Sequence, residues 1–308
     1  MQHAHTVLAP ADSKTIENRA DEEILTKRRL CRIVPALLAM TGLLLASAVA
    51  QAGTVVNVTF QGQYPNASSH SGLGVRLYDS LNSSGAPNAS AVTAVSLAEG
   101  GGFDFKVNNP SSTVFLGPGG NSSSNGVLAF CIEMTEFIQY GPTKLAMIPL
   151  ADGPQQVSGP NIHGMGTTSA MLIEELWGQH INTVLSPPAG LTTSQAAGAF
   201  QLAIWKLEYD GKDPYGTPGS VNFGKGYVEA RATNSSDAAI LSTASHWINS
   251  LSLNPSPGQL ANLVALSGGN YQDQVFQIVT PEPSSNLIWL VVAAIGVYPL
   301  MRRRTTVG

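Results

Sequence analysis

An apolar run stands near each end of this 308-residue chain, at 33–50 and at 287–301, and the two bound what is left to fold as a globular body. The first run follows Lys27-Arg28-Arg29-Leu30-Cys31-Arg32 and gives way to small residues at Ala48, Ala50 and Ala52. A basic stretch, an apolar stretch and a small-residue site, in that order, are the parts of a secretory leader. Residues 1–52 therefore read as a signal peptide with a long polar lead, cut after Ala52, with Ala50 as second choice. The second run is at the short edge of what crosses a bilayer, where about 20 residues are usual. Arg302, Arg303 and Arg304 follow it, and basic residues stay on the cytoplasmic side, so the body faces outward.

Composition narrows the body further. Charged residues make up 12% of the chain, against about a quarter in ordinary soluble domains. Residues 53–283 hold seven basic and fifteen acidic side chains. A nucleic-acid binder needs clustered cations to displace counterions, so that class is excluded. The 31 glycines and 19 prolines suit a turn-rich β protein.

Strands are expected at 54–62, 92–97, 102–107, 126–138, 144–150 and 271–279, where apolar and β-branched residues lie between turn formers. Loops rich in Ser, Asn, Gly and Pro are expected at 64–74 and 79–88. The middle changes period. Residues 168–181, 193–209 and 235–251 carry apolar side chains at helical spacing, the second and third behind Thr/Ser openings. Strands, then helices, then a returning strand give an α+β class. Trp177, Trp205 and Trp247 fall among apolar neighbours on these helices and read as core.

With Cys31 in the leader, Cys131 is the single cysteine of the exported body, and a lone thiol makes no intramolecular disulfide. Three roles stay open: a buried inert thiol, a nucleophile, or a cysteine consumed in another covalent bond. A hydrolase needs a histidine beside it, and His70, His163, His180 and His246 show no distinguishing spacing; His180 falls near a helix end, where a cation suits the dipole. No metal-ligand spacing occurs, and no cofactor motif. Glu174, Glu175, Glu133 and Glu136 read as solvated faces, although Glu133 is close enough in sequence to Cys131 to assist proton transfer. Gln201 lies inside an apolar helix, where an amide must find partners. A lone cysteine and an apolar-flanked glutamine are the ingredients of an internal thioester, formed when the thiolate attacks the carboxamide and ammonia leaves.

Two resemblances follow from these residues. Pro281-Glu282-Pro283, the apolar run and Arg302, Arg303 and Arg304 resemble the PEP-CTERM sorting signal of Gram-negative bacteria. That resemblance implies processing by an exosortase-type enzyme, a membrane anchor through residues 280–308 before processing, and a destination in the cell envelope or extracellular matrix. Phe130-Cys131-Ile132-Glu133 and Gln201-Leu202-Ala203-Ile204-Trp205 resemble the two signatures of the thioester domains of bacterial surface adhesins; Phe200 stands where many members have threonine. For residues 53–279 this implies a β-sandwich-like core with an inserted helical region. It also implies a Cys131–Gln201 cross-link, with Glu133 and Trp205 in support, that captures an amine or hydroxyl on a polysaccharide or protein target. Such capture is a single turnover, not cycling catalysis. The alternatives are a non-covalent structural or binding component of the exopolysaccharide matrix with a free buried Cys131, and a secreted cysteine hydrolase.

Overall fold

The computed structural model describes residues 55–279 apart from 66–72, 89, 92, 97–100, 109–114, 121, 124–125, 155–162, 212–220 and 269–270. The signal peptide and the sorting signal with Pro281, Glu282, Pro283, Arg302, Arg303 and Arg304 lie outside the described residues. Among the described residues, no helix is long and apolar enough to cross a membrane.

Among the described residues, eleven strands and three α-helices give the expected α+β class, with eight strands first, the helices after them and strands returning at the end. The strands are β1 (Val55–Tyr64), β2 (Gly74–Leu77), β3 (Thr93–Ser96), β4 (Gly102–Val107), β5 (Phe115–Leu116), β6 (Ser122–Ser123), β7 (Gly126–Cys131), β8 (Pro142–Pro149), β9 (Val228–Arg231), β10 (Leu263–Ser267) and β11 (Gln274–Gln277). The helices are α1 (Gly166–Leu185), α2 (Thr193–Asp210) and α3 (Ser235–Ser250). Six strands close into an antiparallel barrel in the order β1-β4-β7-β11-β10-β8, and a separate sheet runs β3-β2-β9. The expected sandwich is thus corrected to a barrel. The closing contacts are β1 with β8 and β8 with β10, pairings between distant segments that no local pattern reveals. Closure leaves the six strands without a free edge.

Two cores share the barrel wall. Val58, Phe105, Val127, Ala129, Met147 and Phe276 pack together in one, while Leu128 and Phe130 join the helices in the other. With both faces covered, β7 reads as an unbroken apolar run rather than an alternating one. Phe130 meets Phe200 of α2 at 4.8 Å between ring centroids and Trp177 of α1 at 5.5 Å. Trp247 of α3 reaches Phe200 at 6.1 Å. These rings tie the barrel to all three helices, and the three tryptophans are core, as the sequence implies.

Every residue of α2 from Ala196 to Asp210 is buried, the signature of a helix enclosed by other elements. It starts on a reciprocal cap one residue before the expected one. The Thr192 hydroxyl accepts the Gln195 N–H at 3.2 Å, and the Gln195 side chain accepts the Thr192 N–H at 2.9 Å. Its far end is pinned by Lys206, whose ammonium lies 2.8 Å from Asp210 and donates to the carbonyls of Lys225 and Val228. Asp210 in turn accepts the N–H groups of Tyr227 and Val228. Close approach to the barrel depends on Gly101. A Cβ there would stand 2.1 Å from the Ala197 carbonyl oxygen and 2.6 Å from Gln201 Cβ.

Gly101→Val should therefore push α2 off the barrel and lower stability by about 1–3 kcal/mol or more, the usual cost of overpacking. Urea denaturation of the variant against the parent measures it; an unchanged midpoint would contradict this seating.

Candidate functional site

Cys131 is the last residue of β7, seven residues earlier than the expected end of that strand at 138. It sits opposite Gln274 of β11, and the following N–H, of Ile132, still donates to the Asp273 carbonyl at 3.0 Å. On the other side the β4–β7 ladder ends at Gly102 and Phe130, one residue short of Cys131. The Gln201 side chain takes the vacant place. Its Oε1 accepts the Cys131 N–H at 2.8 Å and its Nε2 donates to the Cys131 carbonyl at 2.6 Å. Leaving such buried groups unpaired would cost about 1–3 kcal/mol each, so the amide and the strand end hold each other. The two residues are 1% exposed each. The structure thus brings together the two residues singled out in the sequence, 70 positions apart, through the Gln201 amide and the Cys131 backbone.

The sulfur is held by its own turn. The thiol donates to the Glu133 carbonyl at 2.6 Å, and the Glu133 N–H points back at the sulfur at 3.3 Å. Gln272 Nε2 reaches the same carbonyl at 3.0 Å. From α2, Trp205 and Glu208 stand four and seven residues beyond Gln201, on the stripe that helical spacing lays along one face. The Trp205 indole N–H is buried without a hydrogen bond of standard geometry, and its polarity favours the thiolate of Cys131. Tyr209 turns its hydroxyl to accept the Met134 N–H at 3.3 Å.

Carboxyl groups crowd this end of the barrel. Glu133, Glu208 and Asp273 are each at most 2% exposed. Burial pushes the Cys131 thiol well up; the Glu133 backbone N–H that points at the sulfur opposes this, the Glu208 charge adds to it, the Trp205 N–H opposes it and the Glu133 charge adds again. Burial raises the Glu133 carboxyl to about 7, with Glu136 and Asp273 contributing against a hydrogen bond from the Thr135 hydroxyl. Glu208 is driven well above the usual carboxylate range, first by burial and then by Glu133 and Asp273, with Tyr209 opposing.

Three expectations are corrected here. Glu133 is enclosed rather than solvated, and Glu175 is fully buried, accepting the Ser252 N–H and the Gln179 side chain. His180 is no capping cation. Its helix continues to Leu185, its ring stacks on Trp247 at 5.0 Å, and burial lowers its value to about 4, with His246 adding to the effect. Among the described residues, the hydrogen bonds of Cys131 go to Gln201 and Glu133. No group of three or more His, Cys, Asp or Glu suited to a metal ion occurs among them. Sequence reading missed Glu208: in Lys206-Leu207-Glu208-Tyr209-Asp210 it looks like the polar end of a helix. The available signal was its seven-residue spacing from Gln201.

A carboxyl raised on folding binds its proton more tightly in the native than in the unfolded state. Its contribution is present at low pH and lost as pH rises from the ordinary carboxylate value through the folded one. For Glu133 that window runs from 4.5 to about 7. The melting temperature should accordingly fall between those limits, and Glu133→Gln should flatten the fall. A melting temperature that rises across the window in the parent protein would contradict the burial of this group.

No family model and no curated protein matches the chain. Among solved structures it is similar to a pilus-presented adhesin, Spy0125 (Cpa) in its P1 form, at 13% identity over 73% of this chain and 93% of that one. The TM-score is 0.19, a likeness too low to establish a shared fold.

Proposed function

We propose that this chain is an exported bacterial surface or matrix protein whose body joins Cys131 to Gln201 in an internal thioester and uses it to capture a nucleophile covalently. The observation that carries this reading is the clamp of the Gln201 carboxamide on both polar backbone atoms of Cys131. It fixes the acyl carbon against the backbone of the residue that carries the one thiol of the body, and fixed proximity of this kind supplies much of the barrier reduction in acyl transfer.

The chemistry balances without a cofactor. The Cys131 S–H proton passes to the Glu133 carboxylate, which at about 7 is poised to accept it near neutral pH. Sγ attacks Cδ of Gln201, and the charge that develops on Oε1 rests on the Cys131 N–H already bonded to it. The C–N bond then breaks as Nε2 takes the proton back from Glu133, and ammonia departs. Later, a target amine or hydroxyl takes the Gln201 acyl group and the Cys131 thiol returns. The protein stays bonded to its target, so the event is one turnover.

In this reading the leader and the PEP-CTERM-like end are sorting devices. Residues 280–308 anchor the protein in the membrane until an exosortase-type enzyme processes them, and the body reaches the envelope or the extracellular matrix. A non-covalent matrix component with a free, buried Cys131 is the second reading. The hydrogen bond of the thiol to the Glu133 carbonyl favours it, since that bond satisfies an unreacted S–H.

Intact mass of the exported protein separates the two. We expect a mass short by one ammonia, uptake of methylamine at Gln201, and neither in Cys131→Ala or Gln201→Ala. A full mass together with a Cys131 that is alkylated on unfolding would leave the second reading standing.

A further inference from the structure

The carbonyl that receives the Cys131 thiol has a second donor. Gln272 Nε2 reaches the same oxygen at 3.0 Å, beside the thiol at 2.6 Å. A backbone carbonyl carries two lone pairs, and among the described residues these two donors fill them. The Gln272 amide is itself held in this sense. Gln274, fully buried and opposite Cys131 in the β7–β11 pairing, donates from Nε2 to the Gln272 carbonyl at 3.2 Å and to Gln272 Oε1 at 3.3 Å. With Oε1 facing that donor, Nε2 is left to face the Glu133 carbonyl. Formation of the thioester removes one of the two bonds. Sγ joins Cδ of Gln201, the Cδ–Nε2 bond breaks, and the S–H proton leaves with ammonia by way of the Glu133 carboxylate. The sulfur then has no proton to offer. A buried carbonyl that loses its last donor bears a full desolvation penalty, and one that keeps a partner does not.

Resting on the thioester reading, we infer that Gln272 is a positioning residue: it keeps the Glu133 carbonyl bonded while the Cys131 thiol leaves that carbonyl to attack Gln201. It acts through the Glu133 backbone and not on the reacting atoms. Before reaction the carbonyl has two donors and afterwards one, so the departing thiol strands no buried group. Without the Gln272 amide the carbonyl would go from one donor to none, and the thiol would be held where it satisfies that oxygen. The same anchor restrains the turn. The Glu133 N–H points at the sulfur at 3.3 Å, and fixing the carbonyl of that residue keeps the N–H in place as the sulfur changes partner. Gln201 is thereby held against the Cys131 backbone while Gln272 holds the turn beside its sulfur, the kind of supporting contact that a reacting geometry requires.

The test starts from the full-length chain kept unfolded in urea, with Gln201 still an amide, and follows intact mass after dilution to native conditions. Wild-type chain that folds and never becomes short by one ammonia would remove the thioester reading itself, and this inference with it. With the deficit present in wild type, Gln272→Met, similar in length and without a donor, should acquire it roughly tenfold more slowly or not at all, the scale of one stranded carbonyl. Gln272→Asn, which keeps the amide on a shorter arm, should recover part of the rate. An anchor for the fold alone would lower the melting temperature of Gln272→Met and leave that rate unchanged, and such a result would overturn the role. Should Gln272→Met fail to fold, hydrogen exchange in the wild-type thioester decides. The side-chain amide of Gln272 should exchange more slowly than that of free glutamine, and exchange at the free rate would refute the assignment.

Discussion

A helix enclosed on all sides must satisfy inside the protein every polar side chain it carries, and α2 carries Gln201, Lys206, Glu208 and Asp210. Gln201, Lys206 and Asp210 find their partners in other parts of the chain. Gln201 completes the end of β7, while Lys206 and Asp210 form a buried pair that also binds the backbone leading into β9. Truncating one member of such a pair costs several kcal/mol because the other charge is left stranded. The polar groups of α2 therefore set its rotation and depth against the barrel more narrowly than its apolar residues do. Phe200 and its neighbouring rings supply attraction; the hydrogen bonds supply register.

That register brings Gln201 to Cys131. Because the β4–β7 ladder stops one residue before Cys131, a strand end with unpaired backbone groups meets a helix face with an unpaired amide. The same enclosure removes water from Glu133 and Glu208, so the proton affinities of both carboxyls rise.

Much of the local structure was legible. Residues 102–107 form β4 as expected, and the three helices lie within a few residues of their expected spans. The misses have physical causes. Leu263–Ser267 forms β10 although its short apolar run carries no alternation to mark it. The short β2 and β9 are stabilised by pairing across more than 150 residues of sequence rather than by local propensity. The run after Cys131 looks like strand but turns away, because Glu133 N–H and C=O fold back on the thiol.

The sequence by itself determined which atoms were available: a single thiol in the body, an amide in an apolar helix, an excess of acid over base and two apolar ends. Those follow from side-chain identity and spacing, which need no fold to be read. Only the tertiary structure decided that six strands close into a barrel, that Gln201 lies against Cys131, and that Glu133 and Glu208 hold protons an exposed glutamate would release. Strand closure depends on hydrogen bonds between distant segments, and proton affinity depends on what surrounds a group rather than on the group itself.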